Sequence, residues 1–404
     1  MAFTTALSGM KAANADLNVT SNNIANVATT GFKQSRAEFA ELITNAGTNS
    51  IGSGVRVSTI SQQFTQGDIT PTGNYLDLAI SKNGFFTVQG TDGTNYYTRA
   101  GNFQRDNNGY VVTPDGYKLQ VFPPLADGTG FNTGSLTDLQ LLTTDAAPKA
   151  TSTLNLGVSL PANSTAPTVA TFDPTDTNSY NQTTATTAYD SLGVAHEVRF
   201  YYVNTGTNSW DVHTIVDGDA ASATTSALTF DNNGALTTPA APATVALNPF
   251  TPSTGAGVLS MSLDLSGTTQ YGEKFALNDL RQDGYASGKL NEFTIDGDGI
   301  VYAKYSNGQD KALGQVSLTN FTNVQGLSAV GNNLWAETGA SGQPRTGAPG
   351  TSDFGSIQSE ALESSTVDLT EQLVNMITAQ RNFQANSQML STEDQVTQTV
   401  INIR

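Results

Sequence analysis

Apolar positions near the two ends of the chain fall at helical spacing, and those between them fall at strand spacing. At the start, Phe3, Leu7, Met10, Asn14, Leu17, Ser21 and Ile24 are separated by alternating steps of four and three residues, a heptad seam with two polar interruptions. At the other end Leu369, Leu373, Met376, Gln380, Phe383, Ser387 and Leu390 repeat the spacing, and the seam then changes phase to Val396, Val400 and Ile403. Such a shift locally changes how a coiled coil winds. Asp368, with Glu371 three residues on, predicts the N-terminal cap of the last helix. That helix would run ~35 residues, or ~50 Å at 1.5 Å per residue, more than a compact domain needs. Two readings stand: a helical hairpin folded within the chain, or helices that also meet the helices of other copies.

From about Val55 to Ala340 the pattern becomes short strands and turns. Tyr96–Arg99, Tyr110–Thr113 and Tyr117–Phe122 are strand candidates, with turns at Asp106–Gly109 and Pro114–Gly116. Further turns are expected at Tyr189–Gly193, Asp231–Gly234, Asp296–Gly299 and Ser306–Gly308, where Gly and Asn supply positive φ. Regular short strands imply sandwich-like or barrel-like modules. Ala146–Pro174 and Ala235–Gly257 are rich in Thr, Ala, Ser and Pro and read as loops or inter-domain crossings, as do 339–355 and 44–54. The fold class expected is therefore mixed but mainly β, with paired terminal α-helices forming a coiled-coil-like inner domain around nested β-rich domains.

Composition sharpens this picture. Charged residues make up 13% of the 404, roughly half the usual globular share. Surfaces poor in charge pack readily on copies of themselves, because little has to be desolvated. The net charge of -17 and the 18 scattered basic residues exclude phosphate-driven nucleic-acid binding. There is no cysteine, so disulfides and thiolate metal sites are impossible. The opening residues lack a basic stretch followed by an unbroken apolar run, so no secretory signal is expected. No run of 18 apolar residues suits membrane insertion.

Candidate chemistry is sparse. His196 and His213 are the only histidines; no third ligand has fitting spacing, and both are expected at surfaces or strand edges. Asp296-Gly297-Asp298-Gly299 resembles the start of a calcium loop, but Val301 occupies the position that needs Gly, so a hairpin turn is the better reading. No nucleophile elbow, nucleotide loop or zinc-protease helix occurs. The sequence predicts no catalytic residue, no metal and no cofactor.

Four segments then carry a resemblance. Residues 21–33, SNNIANVATTGFK, resemble the N-terminal signature of the rod and hook family of bacterial flagellar axial proteins, through Asn22, Asn23, Ile24, Ala25, Asn26, Gly31, Phe32 and Lys33. LDLAISKNGFFTVQ (76–89) and YTRAGNFQRDNNGYVVTPDGYKLQVF (97–122) are similar to its shared β domain. ALESSTVDLTEQLVNMITAQRNFQ (361–384), with Gln380 and Arg381, is similar to its C-terminal signature. One departure is Ser365-Thr366-Val367, where the pattern has Ser-Asn-Val. The block 146–284, absent from the short rod members, and YDSLGVAHEVRFYYV (189–203) place the resemblance in the hook branch.

The resemblance implies a structural subunit rather than an enzyme: one that polymerises with identical copies into a flexible tube joining rod to filament. It implies a terminal helical domain (1–30 and 360–404) and connecting segments (31–70 and 340–359). It also implies a shared β domain (71–145 and 285–339) and an inserted outer β domain (146–284). The two seams would be the assembly surfaces. Implied partners are the distal rod protein, the hook cap, the hook–filament junction proteins and the flagellar export apparatus, with extracellular localisation and no cleavable signal. A distal rod component is the nearest alternative. A secreted β-rich adhesin is the alternative of another class, which leaves the paired terminal signatures unexplained.

Overall fold

The computed structural model describes residues 2–43, 52–126, 128–351 and 353–402. Ile403 of the second seam lies outside them, and of the polar stretch 44–54 only 52–54 are described. The chain is mainly β with one long helix at each end, α1 (Ala2–Ala25) and α2 (Leu369–Asn402). Asp368 caps α2: its Oδ1 accepts from the Thr370 and Glu371 amides at 2.7 and 3.1 Å.

Two compact units form. The first comprises the chain up to Thr143, Glu292–Ala303 and everything from Asp310 on; the second comprises Thr144–Asn291 and Lys304–Gln309. In the first unit, strands from before and after the second unit interleave. Asp310–Val316, Lys118–Phe122, Phe85–Gln89, Asn95–Thr98, Leu334–Ala336 and Ser328–Gly331 pair in that order. Phe86, Val88, Leu119, Val121 and Val316 are buried between them. An aromatic cluster of Phe64, Phe85, Tyr97, Phe321 and Trp335 sits at one side, with Phe85 and Trp335 at 5.6 Å and Tyr97 and Phe321 at 4.7 Å, both edge to face.

The second unit is a sandwich of two five-stranded sheets. One is an antiparallel meander through Gln182–Tyr189, Ala195–Gly206, Ser209–Val216, Asp219–Phe230 and Leu236–Thr238. The other is organised around Thr153–Pro161, which pairs with Ser262–Asp264, Thr269–Tyr271 and Ala276–Gln282. Phe200, Tyr202, Trp210 and Val212 from the first meet Leu154, Leu156, Val158 and Leu160 from the second. Ala146–Pro174 is therefore no linker. Its Leu-x-Leu-x-Val-x-Leu alternation builds a central strand, hidden among the small polar residues around it. Ala235–Gly257 likewise contains Leu236–Thr238 and Thr244–Ala246, and 339–355 contains Arg345–Gly347.

One turn recurs four times, and it explains how the hairpins are set. Asp106, Asp190, Asp231 and Asp296 each accept, through Oδ1, the amides two and four residues on, at 2.8–3.0 Å. A glycine three residues after each aspartate has φ between +73° and +86°. The carboxylate satisfies turn amides that would otherwise have no partner, and glycine alone takes the left-handed step without strain. Asp296–Gly299 is one of these turns. His196 departs from expectation: it is buried among these elements rather than exposed, because two carboxylates hold it there.

Candidate functional site

The long helices first form a hairpin within the chain. The Asn23 amide donates to Gln372 Oε1 at 3.1 Å, and Gly9 gives room for the Asn386 side chain. Moving along α1 from Gly9 to Asn23 thus moves back along α2 from Asn386 to Gln372, so the helices are antiparallel. In the same register Ala2 falls opposite Glu393, and the last turns of α2 run beyond the start of α1.

The faces used in this hairpin differ from the α1 seam. On α1 the buried stripe holds Ala6, Ala13, Thr20 and Asn23, in line with Gly9. Phe3 is exposed, and Leu7, Met10, Leu17 and Ile24 are half-buried. On α2, buried Gln372 and Ala379 and half-buried Met376, Asn386 and Leu390 share one face, with Phe383 at its margin. Leu369, Leu373, Val374, Ile377 and Val396 are exposed. Val400 lies in α2. Small side chains let the two backbones approach closely and leave the larger apolar residues outside the contact.

Asn23 also locks the end of α1 onto the start of the strand Ser35–Glu41. Its Oδ1 accepts from the Ser35 amide at 2.9 Å and its Nδ2 donates to the Ser35 carbonyl at 2.8 Å. Asn26 turns the chain, accepting from the Thr29 hydroxyl at 3.1 Å. Gly31, at φ +69°, lies where an added Cβ would sit 2.6 Å from the Ala100 nitrogen. Its amide donates to the Glu363 carbonyl at 2.8 Å. Phe32 is half-buried and its carbonyl accepts from the Thr366 amide, while Thr366 Oγ1 accepts from Gln34. The threonine at the position that departs from the family pattern is thus bonded into the junction. Asn22, Ala25, Gln380 and Arg381 are exposed. Neither Gln380 nor Arg381 has a side-chain partner among the described residues.

Below this lies a buried ionic cluster. Lys33 Nζ is 2.6 Å from Glu363 Oε1, and Arg99 Nη1 is 3.2 Å from Glu363 Oε2, with both acid and lysine almost fully covered. The Gly67 amide donates to the same carboxylate at 2.8 Å. Two cations share one anion. The excess positive charge is met by backbone carbonyls: Thr65 accepts from Lys33, and Lys82 accepts from Arg99 Nη2 at 2.7 Å. Arg99 also lies 5.5 Å from the centre of the Phe85 ring, which connects the cluster to the aromatic core. Burial draws the Lys33 ammonium below its usual pKa, against the opposing pull of Glu363, and acts on Arg99 in the same direction.

Lys33, Arg99 and Glu363 come from the N-terminal signature, the shared β segment and the C-terminal signature, so one cluster ties together three distant stretches. Sequence reasoning singled out Lys33 but not its partners. The available signal was a lone charge in each of two apolar strand runs, Tyr96-Tyr97-Thr98-Arg99 and Ala361-Leu362-Glu363. Nearby, a polar cleft of about 380 Å³ is lined by Thr30, Thr98, Asn102, Asp115, Asn332 and Asn333. Asp115 is the one titratable group in its lining, which gives no acid–base pair. Among the described residues no group of three His, Asp or Glu side chains is arranged to hold a metal. No helix there is long and apolar enough to cross a membrane.

Four family models match in the order of the signatures. They are a flagella basal body rod protein model over 3–33, the flagellar hook protein FlgE/F/G D1 domain over 79–171, the flagellar basal body protein FlaE D2 domain over 155–285, and the flagellar basal body rod FlgEFG protein C-terminal model over 358–403. The chain is 38% identical to the flagellar hook protein FlgE of Escherichia coli K12 over all of both chains. It is 39% identical to that of Salmonella typhimurium, again over all of both. It is 36% identical to that of Rhizobium meliloti over 99% of this chain and 98% of the relative. A crystal structure of the Helicobacter pylori flagellar hook protein FlgE2 shares the fold with TM-score 0.57 at 17% identity, covering 73% of this chain and all of that one.

Proposed function

The chain belongs to the flagellar hook protein family, and from that premise we infer how its parts divide the work of a hook subunit. It is a structural component of the extracellular hook, a polymer of identical subunits, and not an enzyme. The apolar residues of the two seams are the contacts to neighbouring copies: Phe3, Leu7, Met10, Leu17 and Ile24 on α1, and Leu369, Leu373, Met376, Phe383, Leu390, Val396 and Val400 on α2. Exposure of Leu369, Leu373, Val374 and Ile377 in a single stretch is the observation that carries this reading. Each is about half exposed, so covering one contributes ~1 kcal/mol, and a helical lattice repeats that gain many times.

The signature residues have a different task. Asn23, Gly31, Lys33 and Glu363 fix the helical hairpin to the sheet, so torque carried by the helices reaches the β domains without slack. Residues 1–30 and 360–404 form the inner helical domain, 31–70 and 340–359 the connection, 71–145 and 285–339 the middle domain, and 146–284 the outer one. The outer domain's polar, charge-poor faces suit contacts that slide as the tube bends. Contacts with the distal rod protein, the hook cap and the junction proteins, and export by the flagellar apparatus without a cleavable signal, complete the proposal. Removing residues 1–25 and 369–404 tests it: the truncated protein should keep both β units folded and form no tubes. Tube growth at the full-length rate would overturn it.

A further inference from the structure

The two histidines lie on neighbouring antiparallel strands of the second unit but in opposite environments. His213 is half-buried and stacks flat on Phe172, with ring centres 4.0 Å apart, and its Nδ1 lies 2.9 Å from Thr225 Oγ1. His196 is buried, and both of its nitrogens face carboxylates. Nδ1 is 2.6 Å from Asp217 Oδ2, and Nε2 is 3.3 Å from Asp190 Oδ2.

Counting donors decides the protonation state. Asp190 already accepts from the Leu192 and Val194 amides through Oδ1 and from Thr254 Oγ1 through Oδ2. Asp217 Oδ1 accepts from the Glu197 amide at 2.8 Å. Both carboxylates act as acceptors throughout. A neutral imidazole has one N–H and would turn a lone pair on one of them. Only the imidazolium satisfies both. Burial opposes that charge, but the bonds to Asp217 and Asp190 outweigh it and raise the His196 pKa above its ordinary value.

The surrounding charges are few. The 190–194 turn supplies Asp190 and the turn after Val216 supplies Asp217. Thr254 and the Phe250 ring, 5.2 Å from the imidazole centre, bring no charge. On the histidine's own strand, Glu197 and Arg199 pair with each other at 3.0 Å.

The braced turn occupies a particular place. An added Cβ on Gly193 would lie 2.9 Å from Pro148 and 3.1 Å from the Ser287 nitrogen. These residues belong to the ladder by which the chain enters and leaves the unit, through the bridges Ala146 to Gly288 and Lys149 to Tyr285. The Thr151 amide donates to the Tyr189 carbonyl, and the Gly257 amide to Ser191 Oγ.

We propose that the second unit is latched at this entry-and-exit ladder by a protonated His196, which ties the 190–194 turn to the turn after Val216 and releases it when the proton is lost. The short bond to Asp217 keeps Nδ1 protonated, so Nε2 gives up its proton first and the tie to Asp190 opens. Because the folded pKa is raised, the latch is complete below the unfolded histidine value near ~6.5 and is lost as pH rises through the folded value.

The test uses the full-length chain with ¹⁵N-labelled histidine, the two rings being assigned with a His213→Gln variant. As pH rises, His196 should keep both ring nitrogens protonated beyond the point at which His213, whose pKa burial lowers, has become neutral. A His196 that loses its proton at or below the pH at which His213 does would overturn the proposal. Hydrogen exchange gives a second arm. Protection of the Lys149, Thr151 and Gly257 amides, corrected for intrinsic rates, should fall about tenfold once pH exceeds the folded His196 pKa by one unit. In His196→Gln it should be low and independent of pH. An equal fall with pH in that variant would equally overturn the latch.

Discussion

Replacing Glu363 with Gln separates the ionic junction from the helices it anchors. The substitution keeps the shape of the side chain but removes the one anion between Lys33 and Arg99, and its amide group faces a cation. Removing one partner of a buried ion pair costs about 3–5 kcal/mol, and two uncompensated cations place this site at the upper end. The chain's two tryptophans make the measurement direct, because Trp335 lies in the first unit's aromatic cluster and Trp210 in the second unit's core. In a Trp210→Phe background, urea unfolding followed through Trp335 reports the first unit alone. With a slope of about 3 kcal/mol/M the midpoint should fall by about 1–1.7 M. The triple variant Lys33→Met, Arg99→Met, Glu363→Leu replaces the cluster with apolar groups of similar volume and should recover most of that loss, since such replacements are often neutral. A Glu363→Gln midpoint within about 0.3 M of the parent would refute the reasoning, because the carboxylate would then not be holding the cations.

Two other sites give independent checks. Gly31→Ala forces a Cβ against the Ala100 backbone and a left-handed φ onto alanine, so the first unit should lose about 1–3 kcal/mol in the same urea assay. Asp283 accepts from the Ser152 and Thr153 amides and from Ser152 Oγ and pairs with Lys149; burial opposes its charge, but these donors hold its carboxyl well below the usual range. A depressed folded pKa means stability that is present above the unfolded value of ~3.9 and lost as pH falls toward the folded one. Asp283→Asn should therefore lower the second unit's melting temperature at pH 7 and flatten its decline between pH 5 and pH 2.

Much of the architecture was legible because local chemistry and global fold agree. The seam at Leu369 to Leu390 and the Asp368 cap announce α2, and the turn signals at 106–109, 189–193, 231–234 and 296–299 fall at turns with a glycine of positive φ. What stayed hidden depends on pairing between distant residues. Leu154, Leu156, Val158 and Leu160 alternate plainly, yet the Thr- and Pro-rich stretch around them reads as linker until their partners at 262–282 are known. The heptad register of α1 marks its large apolar residues, whereas contact with α2 selects Ala6, Gly9 and Ala13 instead, because close approach favours small side chains. Glu363 looks like one more surface acid. Only folding brings Lys33 and Arg99, 330 and 264 residues away, onto its two oxygens. His196 is a similar case, since no local spacing announces Asp217 as its partner.

If apolar surface left outside the helical hairpin drives polymerisation, as proposed, a double variant that charges this surface should stop tube growth. Leu373 and Ile377 are 45% and 50% exposed and lie one turn apart on α2. Leu373→Asp with Ile377→Asp should leave urea unfolding of the subunit unchanged within about 0.5 kcal/mol, as surface substitutions usually do. In the same preparation, seeded tube growth followed by light scattering and electron microscopy should cease. Tubes growing at the parental rate from the doubly charged protein would show that this face of α2 is not an assembly surface.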